Sequence, residues 1–148
     1  MLSLCVINVT AASTSRPTMV THNGYATQGT EPTKIVLGLG QGGSLYQSLT
    51  IKVGDKYDIV EKLVTRTQQN TAVGIGGATI HLQMSGDQQT WSPLTDFTTK
   101  NEANIIGMFG VLNVQASSPY AVYLRAIYDG DSQYAPTVSN VVALTVTQ

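Results

Sequence analysis

A single cysteine, Cys5, stands in 148 residues, so no intrachain disulfide can close and no thiolate cage can hold zinc. Charged residues are 11% of the chain and the formal net charge is −1. The usual share is about a quarter, and with no excess of either sign there is no field to hold nucleic acid or an anionic membrane. The Lys and Arg residues are scattered, without a basic–aromatic motif. There are two histidines, His22 and His81, and no Gly-x-Ser-x-Gly elbow to carry a nucleophile. The glycine stretches Gly38-Leu39-Gly40 and Gly74-Ile75-Gly76-Gly77 open no amphipathic helix and lack the Walker lysine, which makes them turns rather than phosphate loops. The apolar stretch at residues 2–9 is far too short to span a bilayer. These absences argue against an enzyme, a nucleic-acid binder and a membrane-spanning chain.

Thr, Ser, Gln and Asn supply the polarity that charge does not. Thr favours strands, while Gly, Asn and Ser favour turns. The length suits one domain, and a chain of this size buries roughly two-thirds of its unfolded surface without a disulfide or metal.

The chain divides near residue 32. Residues 1–31 read as an N-terminal arm or linker, rich in Thr, Ser, Gly and Asn after the first apolar run. That run is either the remnant of an export signal, with Val9 and Ala11 as its small-residue cleavage site, or a strand able to exchange with a neighbour. No Lys or Arg precedes it, and Leu4 before Cys5 is not the small residue a lipoprotein site wants. Leu2, Leu4 and Val6 alternate with Ser3 and Cys5, the pattern of a strand that adds to a sheet edge. Asn8-Val9-Thr10 is an N-glycosylation sequon.

From residue 32 to 148 the pattern is strand, turn, strand. An apolar run over residues 34–39 ends at Gly40 and Gly42-Gly43, and Leu49 and Ile51 alternate with polar neighbours. Residues 57–64 read as a strand with Tyr57, Ile59 and Leu63 facing inward. Ala78, Ile80, Leu82 and Met84 share one face, opposite Thr79, His81, Gln83 and Ser85, which is the period-2 alternation of a half-buried strand. Short strands follow at residues 91–97 and around Phe109, Val111 and Val114. Tyr120, Val122, Leu124, Ala126 and Tyr128 then alternate against Arg125, and residues 138–146 close the domain with Val142, Leu144 and Val146 on one face. Seven to eight short strands with turn signals between them predict an all-β, antiparallel, immunoglobulin-like β-sandwich with an N-terminal extended arm.

Several motifs carry a more specific resemblance. They are Gly77-Ala78-Thr79-Ile80-His81-Leu82, the turn from Ser85-Gly86-Asp87 to Trp91, and Gly107-Met108-Phe109. The most telling is Tyr120-Ala121-Val122-Tyr123-Leu124-Arg125-Ala126-Ile127-Tyr128-Asp129-Gly130-Asp131, followed by Tyr134-Ala135-Pro136 and Ser139-Asn140. Over roughly residues 33–147 the chain resembles the immunoglobulin-like modules of archaeal and bacterial cell-surface proteins, in which a domain without disulfides is ordinary. The resemblance implies an extracellular spacer, adhesive unit or surface-layer part that makes protein contacts and catalyses nothing. The connection over residues 99–106 is longer than the family's, and an arm stands where surface arrays show another repeat. No functional residue carries over, and the fold hosts many functions.

Candidate sites follow from residue chemistry. Asp129 and Asp131 flank Gly130; turn formation explains them, and calcium is the sharper alternative. His81 reads as an exposed strand histidine. Trp91 reads as a core residue, with a sugar-stacking platform of Trp91, Tyr123, Tyr128 and Tyr134 as the alternative. Tyr123 is the aromatic most expected at a contact surface, and Tyr120 suits a tyrosine corner bonding nearby backbone. Leu2, Leu4, Val6 and Tyr123 are therefore the expected interaction residues. The partners expected are proteins or further copies of the chain, with glycans as an alternative, and no cofactor is required. Function is expected to be that of a structural or adhesive cell-surface module, or else of a filament or virion subunit joined by its arm, or of a carbohydrate-binding module.

Overall fold

The computed structural model describes residues 29–148 in full and, for residues 21–22 and 25–26, the backbone alone. The last two pairs form β1 (Thr21–His22) and β2 (Tyr25–Ala26), an antiparallel pair. Eleven strands make the body: β3 (Thr33–Gln41), β4 (Ser44–Tyr46), β5 (Ser48–Lys52), β6 (Lys56–Arg66), β7 (Ala72–Gly74), β8 (Thr79–Ser85), β9 (Ser92–Thr98), β10 (Met108–Gln115), β11 (Tyr120–Tyr128), β12 (Thr137–Val138) and β13 (Val142–Thr147). One sheet has the order β10-β6-β3-β4, with β7 beside β6; the other has β5-β13-β11-β8-β9, with β12 beside β11. All pairings between these strands are antiparallel except β5 with β13, and an isolated parallel bridge joins Glu31 to Tyr134. The chain thus crosses from β6 to β8, back from β9 to β10, and over again to β11. The initial strands are shared between layers, β3 in one and β5 parallel to the last strand in the other. This is the all-β sandwich expected from the sequence, two packed layers of mainly antiparallel strands. Among the described residues no helix is long and apolar enough to cross a membrane.

Eleven strands exceed the seven or eight expected because β4, β7 and β12 hold only two or three residues and carry no periodicity to read. Gly40 does not end its strand. The turn falls at Gly42-Gly43, both at positive φ, and folds β4 back along β3. The closing run is also interrupted. Ser139 leaves the ladder to accept the Ala126 N–H on its Oγ (2.8 Å). Asn140 turns to the other sheet, accepting the Leu37 N–H (3.0 Å) and donating to the Leu37 carbonyl (2.9 Å). Asn140 so takes the place of a missing strand neighbour and joins the two layers.

Alternation along each strand builds one core. Ile35, Leu37 and Leu39 of β3, with Tyr57, Ile59 and Leu63 of β6, face Ile80 and Leu82 of β8, Leu124 and Ala126 of β11, and Val142 and Leu144 of β13. The inward assignments made for β6, β8, β11 and β13 all correspond to buried residues, apart from half-buried Ala78, Met84 and Tyr120, which pack against the cluster. At roughly 1.5–3 kcal/mol for each large side chain removed from water, this burial is the dominant favourable contribution to folding.

Candidate functional site

Leu2, Leu4, Val6 and the Asn8 sequon lie outside the described residues. Asp129 and Asp131, the calcium candidates, are brought near one another by the β11–β12 turn but point to different partners. Asp131 Oδ1 accepts the N–H groups of Gln133 and Tyr134 (both 2.8 Å), and Oδ2 accepts the Tyr128 hydroxyl (3.1 Å). The Tyr128 phenol is raised by burial and then by this carboxylate. Burial works to raise the Asp131 carboxyl too, but the donors around it outweigh that and hold it below its ordinary value. Asp129 Oδ2 instead lies 3.0 Å from His81 Nε2. Among the described residues no group of three His, Cys, Asp or Glu side chains could hold a metal.

His81 departs from the expectation of a simple exposed histidine. It is half-buried on the outer face of β8, with Nδ1 2.7 Å from Asp96 Oδ1 on β9 and Nε2 3.0 Å from Asp129 Oδ2. Burial pushes the imidazole down, but Asp96 and then Asp129 overcome it and hold the ring above its usual value. With a carboxylate at each edge, the ring presents neither nitrogen to a serine, and its two carboxylates cannot converge on one ion. The arrangement is a clamp between strands.

Trp91 is buried, 8% exposed, yet it is not part of the inter-sheet core. It precedes β9 and stacks with the Arg125 guanidinium, 4.2 Å from its ring centre. Arg125 lies on the outer face of β11 and donates through Nε to Gln83 Oε1 (2.8 Å). Expected as a core residue, Trp91 thus belongs to a satellite cluster outside the second sheet. Arg125 lies over its ring, Tyr128 is buried, and Tyr123 and Tyr134 are only half-buried, so the four do not form an open platform for sugar. The Tyr120 hydroxyl meets the Tyr57 hydroxyl at 3.0 Å rather than nearby backbone, which replaces the tyrosine corner with a tie between sheets.

Two features escaped the sequence reading. One is the burial of Glu61, a carboxylate legible in the sequence beside Asp55 and Asp58 but set on the inner face of β6 between its ladder partners Leu37 and Phe109. It is 1% exposed, neither carboxylate oxygen has a hydrogen-bond partner, and burial pushes its carboxyl up to about 8. Period-2 counting from Tyr57 and Ile59 places it inward, so the signal was present. The other is a trough of about 780 Å³ on the outer face of the first sheet, running from Pro32 to the β3–β4 hairpin. Ladder register sets its rows: Lys34 opposite Val64, Val36 opposite Lys62, and Gly38 opposite Val60, with Met108 beyond Lys62. Leu45 lies over Gly38. Val36 is 53% and Leu45 64% exposed. The doubled apolar pairs Ile35-Val36, Ile59-Val60 and Leu63-Val64 mark a strand apolar on both faces, and they are what could have revealed it.

No protein-family model matches the chain, and no curated protein matches it in sequence. Among solved structures, one similar chain comes from "Structural basis of T cell specificity and activation by the bacterial superantigen toxic shock syndrome toxin-1". Its identity is 11% and its TM-score 0.42, over 76% of this chain and 99% of that one. A second belongs to a β-glucosidase from Listeria innocua in complex with glucose. Its identity is 11% and its TM-score 0.34, over 78% of this chain and 16% of that one. The chain therefore spans about a sixth of the glucosidase. Likenesses at this level assign neither family nor activity.

Proposed function

We propose that the protein is a non-catalytic, immunoglobulin-like structural or adhesive module of a microbial cell surface that works by contact with other proteins. The observation that carries this reading is the apolar outer face of β3, β4 and β6. Val36 and Leu45 are exposed there together, and contiguous apolar surface on a folded domain marks a contact site. Among the ionisable groups with specific environments, His81 clamps strands, Asp87 and Asp131 cap turns, and Glu61 is closed off from solvent inside the sandwich. The resemblance of residues 33–147 to prokaryotic surface modules supplies the cellular setting.

The test is retention of the purified protein on envelope preparations of its source cells. Val36→Glu with Leu45→Glu should release it while leaving the melting temperature unchanged, since both side chains already face water. Equal retention of the parent and the double variant rules the contact reading out.

A further inference from the structure

The walls of the trough are too low to enclose a small molecule: Val36 and Leu45 each keep more than half their surface in water, whereas small ligands are normally buried over most of theirs. Its floor is a sheet whose backbone groups are already paired, with β3 and β6 in register from Thr33 to Gly40. An extended peptide lying on that floor would leave its own N–H and C=O groups unbonded against Val36, Val60 and Val64, which is unfavourable. An α-helix satisfies its backbone internally and offers only side chains.

Charge narrows the occupant further. Lys34, Lys62 and Arg66 line the trough, and Glu61, the acid that borders it, turns its side chain into the core. Among the described residues the only ion pairs are those of His81. Arg66 donates to the Asn70 side chain (2.7 Å) and carbonyl (3.4 Å), neutral groups that leave its charge uncompensated. A second copy docking by the same face would bring like charges together. Residues 1–28 contain Arg16 but no Asp or Glu, so that stretch supplies no countercharge.

We propose that the trough receives an amphipathic α-helix of another protein, its apolar stripe edged by Asp or Glu. This rests on the contact reading above and names the partner for the same face. From Val60 to Arg66 the trough runs roughly 20 Å at about 3.3 Å per residue, the length of a helix of about 13 residues. Leucine-like anchors at i, i+4, i+7 and i+11 pack on the patch of Val60, Val64, Val36 and Met108 that surrounds Lys62, and carboxylates beside the stripe meet Lys34, Arg66 and the ammonium that Lys62 extends out of the patch.

The probe is an alanine-based helical peptide of about 15 residues with leucines at those positions and glutamates beside them. Its control carries lysine in place of every glutamate. Each is titrated into the full chain while the methyl resonances of Val36, Val60, Val64 and Met108 are followed. The glutamate peptide should saturate these four signals and bind at least about tenfold more tightly than the lysine peptide. Lys34→Glu with Lys62→Glu, both at exposed positions, should reverse that preference. Equal binding of the two peptides, shifts elsewhere on the molecule, or no binding up to about millimolar peptide overturns the helix inference. If the helix inference fails while Val36→Glu with Leu45→Glu still releases the protein from envelopes, the contact reading survives alone. Retention of that double variant rules out the contact reading itself.

Discussion

Glu61 sits where β6 calls for a hydrophobe. Tyr57, Ile59, Leu63 and Thr65 share its face and all are buried, so alternation fixes its direction as firmly as theirs. What alternation does not convey is the neighbourhood. Leu37 and Phe109 approach through ladder pairings separated by many residues of sequence, and neither carboxylate oxygen finds a donor. The same gap separates the histidine expected from the one observed, because Asp96 and Asp129 come from other elements. Burial favours the neutral acid, with a folded-state value of about 8 against an ordinary 4.5. Below about 4.5 both folded and unfolded states hold the proton. Between there and about 8 the unfolded chain releases it while the folded chain keeps it, so stability falls as pH rises, by at most about 1.4 kcal/mol per unit. Glu61→Leu should remove this dependence and stabilise the protein at pH 7 by about 1–3 kcal/mol, because a hydrophobe replaces a neutral carboxyl buried without a hydrogen-bond partner. Urea midpoints at pH 5, 6, 7 and 8 measure both effects. Parallel pH profiles for the two proteins would show that the carboxyl reaches water.

The strands themselves were largely legible as elements. β6, β8, β11 and β13 alternate over five or more residues, and their inward sets are the core. Shorter elements were not: β7 and β12 take their conformation from a neighbour's ladder, pairing with β6 and β11. Trp91 was misplaced because the turn before β9 carries it around to the outer face, where Arg125 waits. The His81 clamp acts at this scale, joining β8 to β9 and to the turn after β11. The raised imidazole means the clamp's contribution is complete below the ordinary value of 6.5 and is lost as pH climbs through the folded-state value. Its partners are largely exposed to solvent, so the contribution is under about 1 kcal/mol. An NMR titration of the His81 ring should give a midpoint above 6.5, lowered by Asp96→Asn and again by Asp129→Asn. A midpoint unmoved by both substitutions would mean that the carboxylates do not hold the ring.

For the molecule as a whole, the place where arm becomes body decides what can be removed without unfolding it. Composition puts that boundary at residue 32, because Gly, Thr and Pro look alike in a linker and in an edge segment. Hydrogen bonding puts it earlier. The Gly29 N–H donates to the Asp131 carbonyl (2.7 Å), the Glu31 N–H to the Gln133 carbonyl (3.1 Å), and the Ala135 N–H to the Glu31 carbonyl (2.9 Å). The Thr65 hydroxyl donates to the Pro32 carbonyl (2.8 Å). Gly29 fits only for want of a side chain, since a Cβ there would lie 2.0 Å from the Gln133 carbonyl carbon. A chain beginning at Gly29 should therefore melt above one beginning at Thr33 in calorimetry. A chain beginning at Thr33 loses all four bonds, each worth about 1 kcal/mol net, and should melt on the order of 10 °C lower. Gly29→Ala in the full chain should reproduce part of that loss by forcing the segment off residues 133–134. Equal melting of the two shortened chains would return the boundary to residue 32 and make the contacts of residues 29–31 incidental to the fold.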